Sequence, residues 1–498
     1  MCKQVIIIGS GLGGLSTGVV LGKNGYRVTV LEQGAQVGGC LQCFERHGVR
    51  FETGMHFIGA ARPDETLGQL FRYLEITDKV KLSPLDRSHY NVIGLNGKRY
   101  PYANGREAFI DSLAQYFPQE RKALESYCDL ISRISHASSL HSLRYADHND
   151  AVSEEYMLQS IDEVIDGIST NETLHKVLVG DLPLYAAERG KTPFATHAFI
   201  RDFYLDSAFR IVGGSDHIAL ALVDTLKKYG GEVLTRAKVT RILCDDKQAT
   251  GVEVNGKEVL AADIIISDAH PIRTLELVDS HLIRPAFRHR VSVMPQTMGG
   301  FSVYLQFKPN RVPYMNYNYF GYNTPTPWDC EYYDEQTWPK GFLYMHLCSS
   351  PRQQYAESGI LLSYMDIHEV EQWKGTRVGH RGDDYEAFKQ RKAERLIASL
   401  TDHFPELRGT IARYYTSTPL TYLDYTGTAD GSMYGIAKDV SLGPACRVPH
   451  KTKIPNLLMT GQNINSHGML GVLVGTIVTC SELLSAKKIY EEIKNCQP

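Results

Sequence analysis

The chain has 498 residues, 43% of them hydrophobic and 22% charged, with 53 Lys and Arg against 56 Asp and Glu for a net charge of −3. That length supports roughly two to four domains and a core large enough to enclose a ligand. The composition excludes a globally disordered chain, and the charge balance offers no basic excess for nucleic acid. Ten scattered cysteines lack the density of a disulfide scaffold and point to a reduced, cytoplasmic setting. The apolar N-terminus breaks at Gly9 and has neither the basic flank nor the cleavage site of a secretory signal. No window of about 18–20 uninterrupted apolar residues occurs, so no transmembrane helix is expected, which leaves peripheral contact with a membrane open.

In chain order, Val5-Ile6-Ile7-Ile8 reads as a buried parallel strand. Gly9-Ser10-Gly11-Leu12-Gly13-Gly14 follows and fits G-x-G-x-x-G. Leu15, Val19 and Val20 then recur at helical spacing, Gly25 ends the helix, and Arg27 to Leu31 form a second strand closed by Glu32. This is a dinucleotide site by order as well as by motif. Gly9 permits the tight turn, Gly11 lets the backbone approach a pyrophosphate, and Gly14 lets helix pack on strand. The helix N-terminus offers free N–H groups to phosphate, and Glu32 suits the adenosine ribose hydroxyls.

Next comes "VGGCLQCFER", in which Cys40 and Cys43 are spaced C-x-x-C behind Gly38-Gly39. The spacing alone allows a redox dithiol, half a zinc site, or two thiols in a cofactor loop. No second cysteine pair completes a zinc site, and no metal is expected. "FETGMHFIG" (51–59) holds Gly54, Met55 and His56, and His56 is its one side chain titrating near neutrality.

The segment 106–117 reads as an amphipathic helix with Phe109, Leu113, Tyr116 and Phe117 on one side. Around 206–270 a glycine turn precedes a helix carrying Ile218, Leu222 and Leu226, then a strand, a hairpin turning at Asn255-Gly256, and a buried strand Ile264 to Ile266 ending at Ser267-Asp268-Ala269. Arg284, Arg288 and Arg290 form a basic cluster, either a solvated turn or a contact for anionic lipid. Tyr314, Tyr317, Tyr319, Phe320, Tyr322, Trp328, Tyr332 and Tyr333 crowd one region, either the wall of an apolar tunnel or a tyrosine-rich cover. Near the C-terminus, Leu457 to Met459 is a last strand ended by Gly461-Gln462, and Gly468-Met469-Leu470-Gly471-Val472 opens a long apolar helix.

The first 60 residues resemble the N-terminal fingerprint of the FAD-dependent amine oxidase and phytoene desaturase superfamily. "FETGMHFIG" and "LYAAERGKTPFATHAFIRDFYLDSAFRIVGG" (184–214) resemble its retinol saturase and carotenoid isomerase branch, and the resemblance spans most of the chain, with its specific motifs at 5–59, 191–270 and 413–484. The resemblance implies an α/β fold with a discontinuous Rossmann-type FAD-binding domain, from 1–61, 206–279 and 426–498, and an interleaved α+β substrate domain from 62–205 and 280–425. It implies that Gln33 beside the acid, Gly38, Gly39 and Cys40 line the FAD loop, and that Gly54, Met55 and His56 run beside the isoalloxazine. The backbone at Val239 would meet adenine, Asp268 would return the chain to the cofactor, and Gly461, Gln462, Met469, Leu470, Gly471 and Val472 would carry the flavin over the last helix. Many relatives place arginine after the glycine pair, and Cys40 stands there as in the retinol saturase branch. Asn463 stands where the family usually has an acid, which weakens a charged ribityl contact.

The activity implied is hydride exchange between FAD and a C=C or CH–CH bond of an apolar, polyene-like small molecule, with NAD(P)H a candidate electron donor. Carotenoid isomerisation without net redox, desaturation, amine oxidation, or flavin and lipid binding without turnover are the alternatives. His56 is either a proton-transfer residue or a structural histidine near the flavin.

Overall fold

A computed structural model describes residues 3–144 and 151–496, so Cys2 lies outside the described residues. Strand β1 (Gln4–Ile8), helix α1 (Leu12–Lys23) and strand β2 (Arg27–Leu31) form the opening unit. The two strands pair in parallel from Gln4 opposite Arg27 to Ile8 opposite Leu31. Val5 to Ile8 are buried on both faces, which is what an uninterrupted branched apolar run achieves inside a parallel sheet.

Three separated stretches of chain build this sheet. Its order is Glu232–Leu234, β2, β1, Ile264–Ser267 and Leu457–Met459, all in parallel. Helix α1 lies against the helices Asp216–Lys228 and Gly468–Leu484. Ser16 Oγ and Thr476 Oγ1 meet at 2.7 Å between the first and last of these partners. Asn255 and Gly256 both adopt positive φ, at 53° and 68°, and turn the hairpin between Ala249–Val254 and Glu258–Ala261.

A second, mixed sheet of seven strands forms the other body of the molecule. Its order runs Ile411–Ser417, Gly299–Phe307, Ser358–Met365, Gly341–His346, Asn318–Tyr322, Asn91–Leu95 and Lys98–Tyr102. Helices between residues 106 and 206 cover part of it and share its core with Phe109, Tyr127, Phe194 and Phe320.

Three expectations need correction. The amphipathic helix ends at Ala114, and although Phe109 and Leu113 are fully buried, Tyr116 is 42% exposed because it falls past the helix end. The arginine cluster is a helix, Pro285–Ser292, and not a solvated turn. Arg288 donates to the carbonyls of Leu275 and Val278, and Arg290 donates to Ala445, so two of the three arginines tie loops together. The crowded aromatics do not share one wall. Alternation along Asn318–Tyr322 sends Phe320 and Tyr322 to one core and Tyr319 to another, while Tyr332 is 60% exposed.

Candidate cofactor and substrate site

The turn between β1 and α1 is closed by glycines that other backbone segments approach. Gly9 has φ +98°, and a Cβ on Gly14 would stand 2.2 Å from the Gly9 carbonyl oxygen. A Cβ on Gly13 would stand 2.8 Å from Gly461 Cα, and one on Gly39 would stand 3.4 Å from Gly11 Cα. The glycine turn, the Gly38-Gly39 loop and the loop after the last strand therefore converge on one point. Gly11 caps α1 with no side-chain hydrogen bond, and the first turn, Leu12 included, carries no acid. That leaves a positive helix end with backbone donors, the usual seat of a dinucleotide diphosphate.

Glu32 at the end of β2 is bound to this loop. Its Oε2 accepts from Ser10 N–H at 3.1 Å and from the Ser10 hydroxyl at 2.6 Å, and its Oε1 accepts from Gly34 N–H at 2.7 Å. Each oxygen can accept further bonds, so a ribose contact is compatible with these anchors. The Ala237 N–H donates to the Glu32 carbonyl at 2.8 Å, which brings buried Val239 alongside. Gln33 is exposed beside the acid.

Asp268, after Ile264–Ser267, lies against the same glycines, 2.5 Å from a Cβ placed on Gly11. Burial pushes its carboxyl up to about 7, and Glu32 adds to the rise while the Gly14 and Gly11 N–H groups oppose it. Cys40 is held well up, at about 11, first by burial and then by the charge of Asp268. Burial and then Glu52 push Cys43 up to about 12. Both thiols are free. A lowered thiol pKa favours redox chemistry, and burial moves both of these thiols the other way.

At Gly54 a Cβ would stand 3.0 Å from the Cys40 carbonyl oxygen and 3.1 Å from the Cys40 Cβ, so the missing side chain lets the Cys40 loop come close. Met55 is half-buried beside it. His56 is buried, with Nδ1 3.5 Å from Glu52 Oε2, and neither His56 Nδ1 nor Glu52 Oε1 has a hydrogen-bond partner. Arg210 Nη1 donates to the His56 carbonyl at 3.3 Å and fixes the backbone there.

The last helix presents its N-terminus to the same region. Met469, Leu470 and Val472 are buried, and a Cβ on Gly471 would meet Ser466 Cβ at 2.7 Å, so this turn is folded tightly on its own approach loop. Gln462 is half-buried. Asn463, in the place of the family's acid, accepts from Ile436 N–H at 2.9 Å and buttresses the Gly435 turn.

Five residues of this region escaped sequence reasoning. Glu52 escaped because nothing local marks it as a partner of His56. Tyr422 and Tyr434 lie near Cys40, and burial pushes both of their hydroxyls well above the ordinary tyrosine range. The Tyr434 ring lies 4.9 Å from that of His467, which caps the last helix. Lys438 Nζ and His467 Nε2 are buried without partners, and both residues line a small cavity of about 10 Å³ with Tyr185, Thr196 and Thr297. Burial holds Lys438 down to about 8 and His467 down to about 3.

The NAD(P)-binding Rossmann-like domain family matches residues 7–74. The chain is 29% identical to human all-trans-retinol 13,14-reductase over 99% of its own length and 87% of that protein. It is 23% identical to a chloroplastic prolycopene isomerase of an Oncidium hybrid cultivar, over 98% of this chain and 85% of that one. Among solved structures, cyclohexylamine oxidase from Brevibacterium oxydans matches with a TM-score of 0.60 at 16% identity, over 99% of this chain and 100% of that one. The chain shares the fold of this oxidase, and its similarity to the reductase and the isomerase runs along nearly its whole length. The glycine cradle, the anchored Glu32 and the positive end of α1 fit a dinucleotide such as FAD. Among the described residues no helix is long and apolar enough to cross a membrane.

Proposed function

We propose that the protein is an FAD-dependent oxidoreductase that reduces a C=C bond of an apolar, polyene-like molecule such as a retinoid or carotenoid. The observation that carries this reading is similarity to a retinol reductase along 99% of the chain, joined to a nucleotide cradle that is complete in its own right. Bound FAD supplies hydride exchange at its N5.

The protein's own residues do the rest. Gly9, Gly11, Leu12, Gly13 and Gly14 receive the diphosphate, and Glu32 receives the ribose. Gly38, Gly39, Cys40, Gly461 and the turn from Met469 to Val472 shape the flavin seat. Val239 meets the adenine through its backbone. His56 carries the proton that must accompany hydride, with Glu52 3.5 Å away as the group that orients and recharges it. Tyr422 and Tyr434 exclude water on the Cys40 side. NAD(P)H is the proposed electron donor, approaching through the substrate cavity, because the sequence has no second nucleotide motif in strand–helix context. Similarity to a prolycopene isomerase supports a second reading, in which the double bond changes geometry without net reduction.

Chromatography of products decides between them. Incubation with retinol and with cis-carotenoids under a reducing cofactor is expected to yield a dihydro product; geometric isomers alone select the isomerase reading, and no product from any polyene contradicts both.

A further inference from the structure

Asp268 stands where the cofactor's diphosphate and the protein's backbone donors meet. Its Oδ2 is 2.5 Å from a Cβ placed on Gly11, and its Oδ1 is 2.5 Å from one on Gly13 and 2.4 Å from one on Gly461. A carboxyl group is thus already planted at the N-terminal end of α1, where the Gly14 and Gly11 N–H groups stabilise its charge. It is half-buried and keeps some accessible surface within the cradle. A dinucleotide diphosphate seeks the same donors. Two anions at one helix end repel, and the second arrives with the added cost of removing water from the first.

Among the described residues, no cation acts on Asp268 to relieve this. Glu32 at the end of β2 opposes its charge, and the Cys40 thiol in the loop behind Gly39 is held neutral by burial and by Asp268 itself. The loop after the last strand contributes Thr460, Gly461 and Gln462, which carry none. His270, two residues on, bonds Gln296 and is held down by burial to about 4, so it is neutral.

Resting on the assignment of FAD to this cradle, we propose that the cofactor and a proton bind together: Asp268 takes up one proton from solvent as the diphosphate settles on the end of α1. FAD is then held more tightly below neutral pH than above it. The carboxyl is poised for this, since burial already places it at about 7. With a free-state value there and a higher one in the complex, affinity is level at lower pH. It falls by up to about tenfold per pH unit above 7. The Asp268 side chain is therefore a proton-linked positioning group for the cofactor.

The test is FAD retention by the holoprotein. Free FAD fluorescence after dilution is read from about pH 6 to about pH 9. The expected result is a dissociation constant that is level to about pH 7 and then rises, and an Asp268→Asn variant whose constant stays level throughout. A level profile in the unaltered chain, or a slope that persists in Asp268→Asn, overturns the proposal. The infrared carbonyl stretch of a protonated carboxyl needs no variant. Its presence in holoprotein at about pH 8, lost when FAD is removed, supports the proposal, and its absence overturns it. A chain that holds no FAD at any pH overturns the cofactor assignment itself, a different result from a level profile.

Discussion

Lys438 and His467 line one small cavity, and neither Lys438 Nζ nor His467 Nε2 has a hydrogen-bond partner. Burial, with Arg447 adding to it, holds Lys438 at about 8, below its ordinary 10.5, while Cys446 acts the other way. A lysine lowered by folding destabilises the folded state where it must be charged. The cost is present below about 8 and disappears as pH rises towards the unfolded value. The shift corresponds to on the order of 3 kcal/mol at neutral pH. Lys438→Met is expected to raise the free energy of unfolding in urea at pH 7 by up to that amount, with the gain shrinking above pH 8. A variant less stable than the parent at both pH values contradicts this account of Lys438.

Glu32 ties three donors, Ser10 N–H, Ser10 hydroxyl and Gly34 N–H, to the end of β2. Glu32→Ala leaves them unpaired and removes the ribose acceptor. FAD affinity is expected to fall by about 2–3 kcal/mol, roughly 30- to 150-fold. Flavin content after purification and the free FAD of diluted protein measure it. Full flavin content in Glu32→Ala would show that the ribose is held elsewhere.

His56 and Glu52 are a buried pair at 3.5 Å whose inner atoms lack hydrogen bonds. His56→Gln keeps a similar polar shape and removes the proton carrier. Turnover is expected to drop by about 10²-fold or more with flavin content retained. Unchanged turnover assigns His56 a structural role.

Arg201 and Asp181 form a sealed ion pair at 2.6 Å, with side chains only 1% and 3% exposed. Tyr102 lies 4.4 Å below the guanidinium, and the hydroxyls of Tyr127 and Tyr185 bracket His197 nearby. Asp181→Asn leaves a buried cation without its counter-charge and is expected to cost about 3–5 kcal/mol. The double replacement Asp181→Leu with Arg201→Met is expected to recover much of that loss. Urea unfolding of the three variants gives the comparison. A single variant as stable as the parent would mean that the pair is solvated.

What the sequence made legible follows from distance along the chain. The opening strand, glycine turn, helix and second strand were readable because each signal is local, and the structure moves their boundaries by about one residue or two. Leu457–Met459 and the start of the last helix at Gly468 were readable for the same reason. The cysteine spacing alone was ambiguous, and the glycine pair before it is what pointed to a cofactor loop. Lys438 and His467 were invisible because only folding brings them to one cavity, and Glu52, though four residues from His56, carries no signal that the two side chains turn toward each other. Tyr116 misled because periodicity continued past a helix that stops at Ala114. The aromatic cluster misled because composition cannot say which face of a strand a ring takes.

Anaerobic reduction of the bound flavin, followed by addition of retinol or a carotenoid, tests the central claim most directly. The protein is expected to carry the visible absorbance of FAD, lose it on reduction, and regain it as the polyene is consumed and a saturated bond appears. A colourless protein that binds no FAD, or a reduced flavin that no polyene reoxidises or isomerises, would contradict the assignment of this chain as a polyene oxidoreductase.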